Sequence, residues 1–233
     1  MIIPIFGMTL LSVFLAFSTP ASSQTAPPQS EWINALRDGG YVIVFRHGAT
    51  YQDQADTDPL DPSNVAKQRQ LNDDGRALAK SIGESMRKLK IPVGQIHTSL
   101  FQRAIETGAL MDFGDVRASA DYTGGLVVTP IENNRRGAAL RKIAGTMPSA
   151  GTNIIVVTHK PNILDAFGKD WLDVHEGEAS VFKPDGNGAY NNRPDPGRRL
   201  EQACADCKLN PEGTVAAQSR GRKTRASACT PLT

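Results

Sequence analysis

The first 203 residues contain no cysteine; all three, Cys204, Cys207 and Cys229, lie near the end of the chain. A body without cysteine has no disulfide framework, so its core must hold by packing alone. The pair Cys204-x-x-Cys207 has no second such pair and no neighbouring histidine, which makes it a weak zinc signal. Histidine is also scarce. The four, His47, His97, His159 and His175, show no HxxxH or HExxH spacing, so no metal site and no metal cofactor are expected. Strong charge of either sign is missing as well. A net charge of +2 points to neither nucleic acid nor a membrane surface as partner. That total is uneven, because the segment from Arg193 onward has eight Lys/Arg against four Asp/Glu and carries +4.

Charge is wholly absent from the first 17 residues, MIIPIFGMTLLSVFLAF. The run is short for a membrane span. Small polar residues follow it, with Ala21-Ser22-Ser23 as a small-x-small cleavage site. No Lys or Arg precedes the apolar core, but the rest matches a secretory signal. The expectation is a signal peptide over 1–23, a flexible lead-in over 24–30, and a periplasmic or secreted product without stable membrane insertion.

Residues 31–190 carry the globular pattern. Tyr41-Val42-Ile43-Val44-Phe45 and Asn153 to Thr158 are short, nearly continuous apolar runs, as in strands buried on both faces. "GQIHTS", Gly94 to Ser99, reads as a further short strand and "EASVFKP" as a last one. Helices are expected after Ser30 as a cap, over Asn72–Lys90, from near Ser99 through Phe113, over Asn133–Met147, and from Pro161 through Phe167. The Asn72 helix has Leu78, Ile82, Met86 and Leu89 on one stripe. Residues 51 to 70 lack periodicity and read as a long, functional loop. Strands alternating with helices predict an α/β three-layer sandwich with a mostly parallel central sheet flanked by helices. After Asn191 the apolar period vanishes. Residues 191–233 read as an irregular, disordered basic tail, as if a native C-terminal strand had been replaced.

Both apolar strands end in chemistry. The first runs into Arg46, His47 and Gly48, the second into His159 and Lys160. Open α/β sheets place ligands at that edge. In "SLFQRAIET", Ser99 marks a strand-to-helix junction and Arg103 follows in the first helical turn, where free N–H groups favour anions. Arginine forks match phosphate oxygens, so two arginines and two histidines converging there would form a phosphate pocket.

The series "FRHGAT", "LNDDGRALAKSIGESMRKLKIPVGQIHTSLFQRAIET" and "VVTHK", in this order and spacing, resembles the histidine phosphatase superfamily, in its phosphoglycerate-mutase-like branch. The likeness covers about residues 40 to 185. It implies a phosphatase that hydrolyses a small phosphorylated substrate, a phosphomonoester, with no cofactor. His47 would be the nucleophile that takes the phosphoryl group. Arg46, Arg103 and His159 would hold the phosphoryl oxygens, with Ser99 beside them. A general acid would protonate the leaving group. Glu132 is one candidate; Asp121 and the loop residues Asp53, Asp56 and Asp58 are others, and spacing does not choose among them. Glu132 also suits a plain first-turn carboxylate, Ser99 a plain N-cap, and Glu106 a helix ion pair with Arg103. His97 and His175 read as structural. A phosphate-binding pseudoenzyme without an efficient acid and a phosphomutase are the alternatives.

Overall fold

The computed structural model describes residues 29–124 and 128–191. The proposed signal segment and the basic tail with its cysteines lie outside the described residues.

The elements in chain order are α1 (Gln29–Asp38), β1 (Val42–Arg46), α2 (Asp73–Lys88), β2 (Val93–Thr98), α3 (Gln102–Leu110), β3 (Val116–Ala118), α4 (Pro130–Ala144), β4 (Asn153–Thr158), α5 (Lys160–Phe167), β5 (Ala179–Pro184) and β6 (Tyr190–Asn191). Six strands form one sheet in the order β3-β2-β4-β1-β5-β6. The pairings β3–β2, β2–β4 and β4–β1 are parallel, and β5 and β6 close one edge antiparallel. The mostly parallel α/β sandwich expected from the alternating pattern is what the chain forms.

Side-chain alternation makes the layers. In β1, Ile43 and Phe45 point to a core shared with Leu36 of α1, Ile82 and Met86 of α2, and Ala104 of α3. Val42 and Val44 point the other way, to Leu140 and Ile143 of α4 and Ile163 and Ala166 of α5. Residues i and i+2 share a face of a strand, so both faces of β1 and β4 must be apolar. This explains why those two runs are nearly unbroken. Every residue of β4 is buried.

Local chemistry sets the element ends. Gly39 and Gly40 have φ of +78° and +89°, the left-handed region, which turns the chain from α1 into β1. Asn72 caps α2 by accepting the Gly75 N–H at 2.8 Å. Gly83 lets α2 lie against α3's end, since a Cβ there would stand 2.1 Å from the Met111 carbonyl oxygen.

Several boundaries differ from expectation. α1 begins at Gln29, so Ser30 lies inside the helix and is not its cap. α3 begins at Gln102 with Phe101 as N-cap, three residues past Ser99. α4 begins at Pro130 behind the Thr129 cap, which accepts the Glu132 N–H at 3.2 Å. β3 was not expected, because three residues, Val116 half-buried and Arg117 and Ala118 exposed, give no apolar run. β6 carries the sheet to Asn191, into the stretch read as tail. Tyr190 anchors it edge-on to Phe182, with ring centroids 5.1 Å apart.

Candidate active site

The site sits at the carboxyl edge of the three central parallel strands. The ladder continues one residue past each strand: His47 N–H donates to Thr158 O at 3.0 Å and Ser99 N–H to Val157 O at 3.1 Å. Register therefore delivers His47, Ser99 and His159 side by side. The rings of His47 and His159 lie 5.0 Å apart, and each residue is only 3% exposed.

His47 is held in one tautomer. Its Nδ1 lies 2.8 Å from the Gly48 carbonyl oxygen. A carbonyl can only accept, so Nδ1 carries the proton and Nε2 keeps its lone pair. His159 is held by Ser99, whose hydroxyl lies 2.7 Å from Nε2 and also accepts the Phe101 N–H at 3.0 Å. Ser99 thus positions a ring and is not the cap of α3. Phe101 packs edge-on against His159, and the Arg103 guanidinium lies 4.5 Å over the Phe101 ring.

Both expected arginines are tethered by their terminal nitrogens. Arg103, 4% exposed, gives Nη1 and Nη2 to the two oxygens of Asp56 at 2.9 and 3.1 Å. Arg46 gives Nη1 to Val174 O at 2.9 Å and Nη2 to Glu176 at 3.1 Å. Gly177 N–H closes the same turn on the carbonyls of Arg46 and His47, at 3.0 Å each. Each guanidinium is fixed from its far end, and each Nε–H is buried with no hydrogen-bond partner among the described residues.

A third arginine joins them. Arg69, in the loop before α2, also has a buried, unpartnered Nε. The same three charges act on both histidines. Burial first, then Arg103, Arg46 and Arg69, push the His47 imidazole down to about 3, against the partial pull of the Gly48 hydrogen bond. His159 is lowered well below its usual range by burial, then by His47 and the same arginines. Both rings are neutral near pH 7. Burial also lowers Arg46 and Arg103, but a guanidinium keeps its charge at any physiological pH.

The loop over residues 51–70 is ordered by contacts to α3. Gln68 accepts the Gln102 N–H at 2.7 Å, supplying a cap that Phe101 cannot. Asp56 accepts the Arg69 N–H at 3.0 Å as well as the Arg103 fork, so one carboxylate joins two of the three arginines. A short 3-10 turn, Val65–Lys67, lies within it.

The acid candidates fare differently from the histidines and arginines. Glu132 is engaged by Arg135 through Nε and Nη2 and by Arg136 through Nε, all at 2.8 Å. Those two arginines hold its carboxyl down to about 2. In this structure Glu132 is held by those two arginines in the first turns of α4. Asp121 pairs with the same Arg135. Asp56 is committed to Arg103, and Asp58 accepts from Asn64 at 3.0 Å within the loop. Glu106 pairs with Arg76 of α2 at 2.7 Å, not with Arg103. His97 bonds Gln95 at 3.0 Å and His175 lies 3.5 Å from Asp173. Lys160 opens α5 beside His159.

No protein-family model and no curated protein matches the chain. Solved structures do. One is the protein histidine phosphatase SixA complexed with tungstate, at 18% identity and a TM-score of 0.47, with 65% of this chain and 94% of that one covered. Another is a variant of the phosphoserine phosphatase from Entamoeba histolytica in complex with phosphoserine, at 14% identity and 0.43, with 65% and 93% covered. A third is Bacillus stearothermophilus YhfR, at 14% and 0.48, with 65% and 94% covered. Likenesses this distant carry no functional argument; the site's own chemistry does.

Proposed function

We propose that the chain is a phosphatase that hydrolyses phosphomonoesters through a phosphohistidine on His47. One observation carries the reading. Three buried guanidinium Nε–H groups, on Arg46, Arg69 and Arg103, have no partner among the described residues, and their charges converge on an imidazole with a free Nε2 lone pair. A buried cationic donor without a partner is costly, and three together fit the oxygens of a phosphoryl group.

In this reading the Nε2 lone pair of His47 attacks phosphorus. The bond to the ester oxygen breaks, and its electron pair leaves with that oxygen, which takes up a proton. Water then attacks the phosphoryl group, the N–P bond breaks, and its pair returns to Nε2. The arginines stabilise charge on the equatorial oxygens in both steps. Depression of the His47 imidazole supports the role, because it keeps the nucleophile unprotonated.

The state of the carboxylates favours a second reading, a phosphate binder with weak turnover. Glu132, Asp121 and Asp56 all face arginines, so none is a ready acid. For the location of the protein we propose export, supported by the uncharged apolar start and the small residues after it.

The deciding experiment is p-nitrophenyl phosphate hydrolysis between pH 4 and 8 by the full chain and by His47→Ala, with acid-quench trapping of labelled phosphoenzyme. Activity and a trapped adduct lost together in His47→Ala are the expected result. Equal activity in both proteins overturns the nucleophile assignment. A folded wild type that binds phosphate but forms no adduct supports the binder.

A further inference from the structure

Thr107 lies on α3, one turn beyond Arg103, and is 1% exposed. Its hydroxyl donates to the Arg103 carbonyl at 2.7 Å. The same oxygen accepts the Gly48 N–H at 3.1 Å. Gly48 is the residue whose carbonyl holds the His47 Nδ1 proton at 2.8 Å. Hydrogen bonds thus run from the helical turn that carries Arg103 through Thr107 to the Gly48 N–H, and from the Gly48 carbonyl, on the next peptide plane, to the imidazole, so the Gly48 backbone links the two.

Gly48 has little freedom on its other side. A Cβ there would lie 2.9 Å from the Gly75 carbonyl oxygen of α2. Close backbone contact and one side-chain oxygen therefore both restrain the Gly48 backbone. Turning the Gly48 carbonyl away from the His47 ring needs rotation about the Gly48 φ and ψ, with its N–H held by Thr107 and the Gly75 backbone close by.

We propose that Thr107 is a positioning residue for His47: its hydroxyl anchors the Gly48 N–H, and with it the backbone turn that keeps the Gly48 carbonyl on Nδ1, the tautomer and ring orientation that leave Nε2 free. This rests on the reading of His47 as nucleophile. A neutral imidazole chooses its tautomer by the hydrogen bond its other nitrogen makes. Without the Gly48 carbonyl as acceptor, the proton can settle on Nε2, and that population has no lone pair for phosphorus. A threonine that returns a bond to the carbonyl four residues back is common in helices and needs no further partner. Thr107 departs from that pattern because its lone pair also reaches across to the β1 end.

The test compares Thr107→Val, which keeps the shape and loses the hydroxyl, with Thr107→Ser, which keeps the hydroxyl and loses the methyl. The protein is the full chain, and folding is checked by circular dichroism. Thr107→Val is expected to lower kcat for p-nitrophenyl phosphate by about 10- to 100-fold with a smaller change in KM, by analogy with the outer-shell partners of metal-binding histidines. Thr107→Ser is expected to stay within about threefold of wild type, since it retains both bonds. Nitrogen-15 NMR of labelled histidine gives the independent readout: His47 protonated on Nδ1 in wild type and Thr107→Ser, and a mixed tautomer in Thr107→Val.

Wild-type kcat and an unchanged His47 signal in Thr107→Val overturn the proposal. So does a Thr107→Ser protein as impaired as Thr107→Val, because then the methyl packing matters and the hydroxyl does not. If Thr107→Val does not fold, the wild-type spectrum and Thr107→Ser still decide, as a wild-type His47 protonated on Nε2 also overturns it. An inactive wild type whose His47 tautomer follows the hydroxyl leaves the positioning role standing and removes only the phosphatase reading.

Discussion

Asp56 and Arg103 meet as a two-point pair, with both carboxylate oxygens on both terminal guanidinium nitrogens at 2.9 and 3.1 Å. The pair joins the loop after β1 to the first turn of α3. It fixes the plane of the guanidinium and leaves the Nε edge uncommitted. Removing Asp56 therefore has opposing effects. The site loses a negative charge, which favours anion binding in general, but Arg103 loses the brace that aims it. Asp56→Ala is expected to lower kcat by about 10- to 100-fold while KM shifts far less, because the aimed contact matters most in the transition state. It should also cost about 3 kcal/mol of stability, as for breaking a buried pair. Steady-state kinetics and urea unfolding check both. A rise in KM at constant kcat would show that Asp56 contributes only to binding.

The same pair shows what could be read in the sequence and what could not. The two apolar runs marked β1 and β4 because central parallel strands bury both faces. Their register then placed His47 and His159 together, and the helix start placed Arg103. Asp56 was legible only as one acid among several in a loop without period. Its partner lies 47 residues away, a relation that no local pattern encodes. Arg69 was missed for the same reason. It stands in "KQRQLN", where an arginine looks solvent-exposed, and only the fold of the loop against α3 brings it inside. Ser99 was legible at the junction beside the site, but a serine before a helix also looks like a cap, and the cap is Phe101. The signal that could have separated the two is Phe101, which has no capping side chain and lets the helix start late.

Glu132 provides a sharper test of the missing acid. Its carboxylate is shared by Arg135 and Arg136 and held down to about 2. A group with that affinity for protons is ionised throughout pH 4 to 8. Glu132→Gln should leave kcat within about twofold and leave the alkaline side of the pH profile in place, as expected for a group outside the proton-transfer step. The measurement is a full pH–rate profile for both proteins. A loss of about 100-fold or more, confined to substrates with poor leaving groups, would restore Glu132 as the acid.

The two buried histidines make stability depend on pH in a direction that can be stated in advance. Burial and nearby arginines depress His47 from an ordinary 6.5 to about 3, and His159 is lowered well below 6.5. In the unfolded chain both rings take a proton near 6.5; in the folded chain they do not. Below pH 6.5 the unfolded state therefore binds more protons, and stability falls as pH falls toward 3. The full contribution is present above 6.5. Within the window each histidine adds up to about 1.4 kcal/mol per pH unit to the slope. His47→Gln removes one titrating ring, so its stability should fall less steeply between pH 6 and 4, even if the variant is less stable at pH 7. Urea unfolding at a series of pH values measures this slope directly. Equal slopes in wild type and His47→Gln would mean that His47 takes up its proton in the folded protein, and a cation would then stand where the proposed nucleophile needs a lone pair.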